Sequence, residues 1–195
     1  MLSHLLFEVR RRKAYASQVA RFRANPVKAG DIVFLGDSIT QSGAWAAYFP
    51  GLPIRNYGVS GDRTKGVIRR LDLVLHRPAK VFLMIGTNDL GSGATDGTVL
   101  DNIETILTRI SEASSDTKIY LQSILPRTWE YVDQIQRVNS EMAALAPRLD
   151  VAYVELAPLF ADDDGVIRPE YCEDGLHLLP PGYDVWVEAI RPLVL

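Results

Sequence analysis

Five short apolar runs, each about the length of a strand and separated by longer amphipathic stretches, constrain this chain more than any other feature. They are Ile32-Val33-Phe34-Leu35, Ile54 to Tyr57, Val81-Phe82-Leu83-Met84-Ile85, Ile119-Tyr120-Leu121 and Val151-Ala152-Tyr153-Val154. All are rich in residues that favour strands. Helical spacing marks the stretches between them. Thr64 to Leu75 is one such stretch, and Leu100, Ile103, Ile106, Leu107 and Ile110 form the stripe of the next. Ile135, Val138, Met142 and Leu145 form another, which Pro147 is expected to stop. Val185, Trp186, Ala189 and Ile190 close the chain after Pro180-Pro181 sets a helix start. Strands that alternate with helices pair in parallel through crossovers. The expected fold is therefore α/β, a three-layer α/β/α sandwich around a five-stranded parallel sheet. No repeat, low-complexity tract or long linker interrupts the 195 residues, so one domain over 1–195 is expected.

Charge is uneven along the chain. Residues 1–28 carry seven Lys or Arg and one acid, Glu8, while the whole chain has a net charge of −3. We read this basic start as an amphipathic helix docked on the domain rather than a targeting presequence. Leu2, Leu5, Leu6, Val9, Ala16, Val19 and Ala20 supply its apolar face. The overall negative charge argues against nucleic acid as a partner. No apolar run approaches the roughly 20 residues of an integral membrane segment. A single cysteine, Cys172, allows no intrachain disulfide, which is compatible with the cytoplasmic location expected here.

In open parallel sheets, ligands bind where the strands end. The residues that could do chemistry gather there. The first run leads into Gly36-Asp37-Ser38, the second into Asn56-Tyr57-Gly58-Val59-Ser60-Gly61, and the third into Gly86-Thr87-Asn88-Asp89. Gln122-Ser123 and Leu125-Pro126-Arg127 follow the fourth, and Asp174-Gly175-Leu176-His177 lies beyond the fifth. A serine hydroxyl is a poor nucleophile until a base takes its proton. Ser38, on a strand-to-helix turn, needs His177 for that, and Asp174 at three residues' spacing can hold the imidazole in the required tautomer. Attack on an ester carbonyl also creates an oxyanion. The N–H of Ser38, the N–H of Gly61 and the amide of Asn88 are the candidate donors.

These blocks resemble those of the SGNH, or GDSL, hydrolase superfamily. Gly36-Asp37-Ser38-Ile39 resembles the first block, with isoleucine where leucine is usual. Asn56 to Asp62 resembles the second, Gly86-Thr87-Asn88-Asp89 the third and Asp174-Gly175-Leu176-His177 the last. The run Gly58 to Arg70 and Leu125-Pro126-Arg127 are similar to the branch of the platelet-activating-factor acetylhydrolase subunits. The resemblance implies a flavodoxin-like SGNH hydrolase fold and a carboxylic ester hydrolase. Ser38 would be the nucleophile, His177 the base and Asp174 its partner, with no cofactor and no metal. It says nothing of the N-terminal helix.

Acetyl or other short acyl esters are the expected substrates, because no long insertion is available to form a lid. The alcohol side is read as an acetylated carbohydrate or a lysophospholipid. Arg63, Arg127, Trp129 and Leu176 are candidate pocket residues, with Tyr131 and Leu178 as further walls. A lysophospholipase or thioesterase of the same family is the alternative, ahead of a non-catalytic carbohydrate-binding relative. A phosphate-binding flavodoxin-like module is disfavoured, since no G-x-x-x-x-G-K-[ST] or G-x-G-x-x-G loop occurs. A homodimer is left open. Asp37 and Asp89 are read as structural, Asp162-Asp163-Asp164-Gly165 as a solvated turn, and Cys172 as a spectator thiol. A neutral imidazole base predicts activity that rises with pH through the ordinary histidine range, near ~6.5.

Overall fold

The structure, a computed structural model, describes residues 2–195; of residues 2–8 and 11 it describes the backbone alone. Helix α1 spans Leu2–Ala24 and strand β1 Ile32–Gly36, followed by the short helices α2, Ser38–Ser42, and α3, Trp45–Tyr48. Then come β2, Ile54–Gly58; α4, Thr64–Arg70; β3, Lys80–Met84; α5, Thr87–Leu90; and α6, Asp96–Ala113. The chain closes with β4, Lys118–Gln122; α7, Val132–Arg148; β5, Ala152–Val154; α8, Ala157–Phe160; and α9, Pro180–Val194. All five strands are parallel, in the order β2-β1-β3-β4-β5. The expected three-layer α/β/α sandwich is what forms.

Strand alternation divides the core in two. Val33, Leu35, Val81, Leu83 and Leu121 face one side, against Val67, Ile103, Ile106 and Met142. Ile32, Phe34, Phe82 and Tyr120 face the other, against Trp45, Trp186 and Ile190. On this second face Phe34, Phe82 and Tyr120 are in register across three strands, with ring centroids 5.1 and 4.6 Å apart. Their side chains share one face because the strand period is two. Trp45 stacks on Phe34 at 4.2 Å and meets Trp186 edge-on at 4.7 Å.

Two helix ends differ from the sequence expectation. Helix α7 continues to Arg148, with Pro147 inside its last turn. A proline there interrupts only the end of the hydrogen-bond ladder, so the turn still completes. The stretch expected to be helical over 64–75 is helical only to Arg70 and then tightens into a 3₁₀ turn, Leu71–Leu73. The change falls where Arg70 turns into the interior.

The docked face of α1 also differs. Val19 is buried as expected, but Val9, Ala16 and Ala20 are exposed. Phe22 is buried and stacks on Tyr57 at 4.2 Å, and the Tyr15 hydroxyl bonds Asp62. The small alanines lose this competition because aromatic rings bury far more area per residue. Leu2, Leu5 and Leu6 lie outside the described side chains.

Candidate active site

Two glycines shape the chain at the ends of the first two strands. A Cβ at Gly36 would collide with Thr40 Oγ1 and the Met84 carbonyl oxygen, so β1 can approach β3 this closely only without a side chain. Gly61 has φ +71°, the left-handed region that favours glycine. Beneath them Arg70 is 4 % exposed and donates from Nε to Asp62 at 2.7 Å, and to the carbonyls of Tyr57 at 2.9 Å and Gly36 at 3.0 Å. One guanidinium thus ties the ends of β1 and β2 to the loop that carries Gly61. Sequence reading did not single out Arg70. Its only signal was a cation on the helical stretch eight residues after Asp62.

Asp37 caps α2, accepting from the Ile39 N–H at 3.0 Å, and leaves Ser38 as the first helical residue. The Ser38 hydroxyl lies 3.0 Å from His177 Nε2, and His177 Nδ1 lies 2.7 Å from Asp174 Oδ2. Asp174 Oδ1 accepts from the backbone N–H groups of Leu176 at 2.9 Å and His177 at 2.7 Å. Partial burial pushes this carboxyl up, but the His177 ring and the two backbone donors outweigh it and hold it well below the usual carboxylate range. The three residues chosen from sequence are therefore in one hydrogen-bonded chain. The serine is 8 % exposed, whereas the His177 side chain is 47 % exposed, so the serine is recessed and the imidazole opens to solvent.

Asn88 lies on α5, behind Gly86 with φ +131°. Its Nδ2 donates to the Asp62 carbonyl at 2.9 Å. That bond fixes the amide orientation and leaves its second N–H for another acceptor. Among the described residues, the N–H groups of Ser38 and Gly61 have no protein acceptor. Asn88→Ala should lower kcat on an ester by roughly 10²–10³-fold with KM little changed, measured by steady-state kinetics. An unchanged kcat would remove Asn88 from the oxyanion role.

The remaining candidates separate. Arg127 stacks on Tyr131 at 3.9 Å and donates to the Thr87 carbonyl at 3.2 Å, so its cation braces the Asn88 loop. Trp129 is 78 % exposed on the following 3₁₀ turn, Trp129–Tyr131. Leu176 is half-buried in the triad loop, whereas Leu178 is buried in the core. Arg63 is exposed at the start of α4. Asp89 does more than order its own loop: both carboxylate oxygens bond Thr64, at 2.9 Å to its N–H and 2.6 Å to its hydroxyl. Asp162 Oδ1 accepts from Asp164 and Val166 N–H, closing a turn. Among the described residues no cluster of metal-ligating side chains occurs. Cys172 is buried, and its Sγ points at Asp174 Oδ1 at 3.5 Å. Burial first, then the hydrogen bond to Asp174 and its charge, push its thiol up, so it stands as a donor to the Asp174 carboxylate. The two-residue spacing from Asp174 was its only signal.

Asp37 is 1 % exposed, and its burial pushes the carboxyl up to about 7. An unfolded chain loses that proton near the ordinary value of 3.8. Between these values the folded protein holds a proton that the unfolded chain has released, so stability falls as pH rises through the window. Asp37→Asn keeps a capping acceptor and removes the titration. It should flatten the pH 4 to 7 profile by on the order of 3 kcal/mol, read from urea midpoints. An unaltered slope would show Asp37 to be ionised throughout.

Comparison with known proteins gives four findings. Residues 34–185 match the model of the GDSL-like lipase/acylhydrolase family. Platelet-activating factor acetylhydrolase IB subunit alpha1 of Pongo abelii is 31 % identical over 179 residues, covering 86 % of this chain and 77 % of the relative. A Streptococcus pneumoniae protein provisionally described as a platelet activating factor superposes with TM-score 0.89 at 28 % identity, covering 100 % of this chain and 99 % of that one. An acetyl-xylooligosaccharide esterase from Geobacillus shares the fold, with TM-score 0.72 and 18 % identity over 86 % of this chain and 95 % of that one.

Proposed function

From the premise that the chain belongs to the GDSL-like lipase/acylhydrolase family and hydrolyses esters, we propose that it is a serine esterase for short acyl groups, acetyl first among them. The continuous chain from Ser38 Oγ through His177 to Asp174, at 3.0 and 2.7 Å, is the observation that carries this reading. Two features support a short acyl group. The proposed triad opens to solvent through a half-exposed His177, and among the described residues no long insertion interrupts the order of elements to form a lid. The curated relatives are named acetylhydrolases, and a neighbour in fold is named for an acetylated oligosaccharide.

In this mechanism His177 Nε2 takes the Ser38 proton as Oγ bonds the ester carbon. The former carbonyl oxygen becomes an oxyanion facing the N–H groups of Ser38 and Gly61 and the Asn88 amide. The ester C–O bond then breaks, and His177 delivers its proton to the departing alcohol. Water repeats the sequence: it gives a proton to His177, attacks the acyl carbon, and the acid leaves as Ser38 regains its hydrogen. Asp174 stabilises the imidazolium in both halves. Arg127, Trp129 and Leu176 stand on the loops flanking the triad and are proposed to meet the alcohol portion.

A ladder of p-nitrophenyl esters from acetyl to dodecanoyl tests this, with Ser38→Ala protein as the blank. The highest kcat/KM should fall on acetyl or butyryl. A maximum at long chains would replace this reading with a lysophospholipase or thioesterase. Equal rates in the blank would remove Ser38 as the nucleophile.

A further inference from the structure

Helices α1 and α4 lie on either side of a groove of about 690 Å³, within the size range of small-molecule sites. One wall is a single face of α1, with Arg12, Tyr15, Val19 and Arg23 at helical spacing. Arg63, Lys65 and Arg69 form the other wall. The end is closed by Ser60 and Gly61, so the groove abuts the loop that carries the proposed oxyanion N–H. Gly66 keeps the floor low, since a Cβ there would collide with Asp62 Oδ1.

Charge sets this groove apart. Among the described residues, six cations and one carboxylate line it. That carboxylate, Asp62, is already held by buried Arg70 at 2.7 Å. Among the described residues, Arg23, Arg63, Lys65 and Arg69 pair with no acid. Four arginines outside the groove, Arg55, Arg109, Arg137 and Arg191, each sit within 3.0 Å of a carboxylate oxygen instead. The excess is not a by-product of a basic protein either, because the chain as a whole carries −3. Like charges gathered on two facing helices repel one another, and a bound anion removes that cost.

We propose that this groove binds a phosphate-bearing small molecule, which bridges Arg23 and Arg69 across its walls with Arg63 at the end nearest Gly61. A phosphate offers several acceptor oxygens to guanidinium forks that approach from different sides. An extended polyanion suits the surface less well, since it would leave the groove onto a predominantly acidic protein. Gly61 lines the groove and Ser38 does not, so its occupancy bears on the proposed oxyanion loop without a contact to Ser38.

Calorimetric titration of the full chain with inorganic pyrophosphate tests the site. We expect saturable binding to one site. The affinity should fall at least about tenfold in Arg23→Gln/Arg69→Gln, since two charge-assisted contacts are lost. Arg137→Gln, remote and paired with Asp96, should leave it unchanged. Circular dichroism of each variant checks the fold. Ser38→Ala protein should bind as the wild type does, so the result is independent of the esterase reading. Two outcomes overturn the proposal: no saturable heat at millimolar pyrophosphate, or equal affinity in the double variant. Groove-dependent sedimentation with phosphatidate vesicles in the absence of pyrophosphate binding would also overturn it, making this face a membrane contact.

Discussion

His177→Ala should cut kcat/KM for p-nitrophenyl acetate by at least about 10⁴-fold, the largest loss expected of any single change. Two jobs vanish together. Nothing remains at 3.0 Å from Ser38 Oγ to accept its proton, and nothing protonates the departing alcohol. The residual rate should come from the oxyanion donors and substrate binding alone. Asp174→Asn tests the other end of the relay. The Asn amide can still be held by the backbone but cannot stabilise an imidazolium, so the loss should fall on kcat rather than KM. Near wild-type kinetics in His177→Ala would remove the triad reading, since among the described residues no other histidine stands beside Ser38.

The second large effect is expected far from substrate. Arg70→Met should destabilise the protein by about 3–5 kcal/mol, because it strands the buried Asp62 carboxylate without its cation. For a chain of this length that is on the order of 10 °C in Tm. Equilibrium unfolding in urea would measure it. The double change Arg70→Met/Asp62→Asn should regain part of the loss, since the uncompensated charge is then gone. Activity should suffer as well. Arg70 holds the Gly36 and Tyr57 carbonyls in place, and Asp62 carries the carbonyl that orients Asn88 at 2.9 Å. A variant that unfolds at the wild-type midpoint would show the clamp to be dispensable.

The contrast between these two residues explains what the sequence made legible. Ser38, Asp174 and His177 announce themselves through residue type, because few side chains can do their chemistry and each sits at the end of a recognisable strand or loop. The sheet was legible for a related reason: each strand is a compact apolar run, and parallel pairing follows from the helices between. Arg70, by contrast, reads as one more cation on an amphipathic stretch. Its role depends on three partners, and the Gly36 carbonyl lies 34 positions away in the chain. The same holds for Asp89, whose partner Thr64 is 25 positions away. Local periodicity misassigned the face of α1 because it weighed alanines and aromatics alike. The Phe22–Tyr57 stack, which decides how the helix sits, is a contact between distant segments.

The three tryptophans divide by environment in a way that makes the protein its own optical reporter. Trp45 and Trp186 are buried edge-to-face at 4.7 Å, with their indole N–H groups bonded to the Thr40 carbonyl and Gln122. Trp129 stands 78 % exposed on the turn beyond Thr128, whose methyl group presses against Gly175 of the triad loop. Blue-shifted emission should therefore follow the integrity of the core. Emission quenchable by iodide should follow the rim of the active site. Loading of the site and melting of the fold become separable colours in a single unlabelled sample.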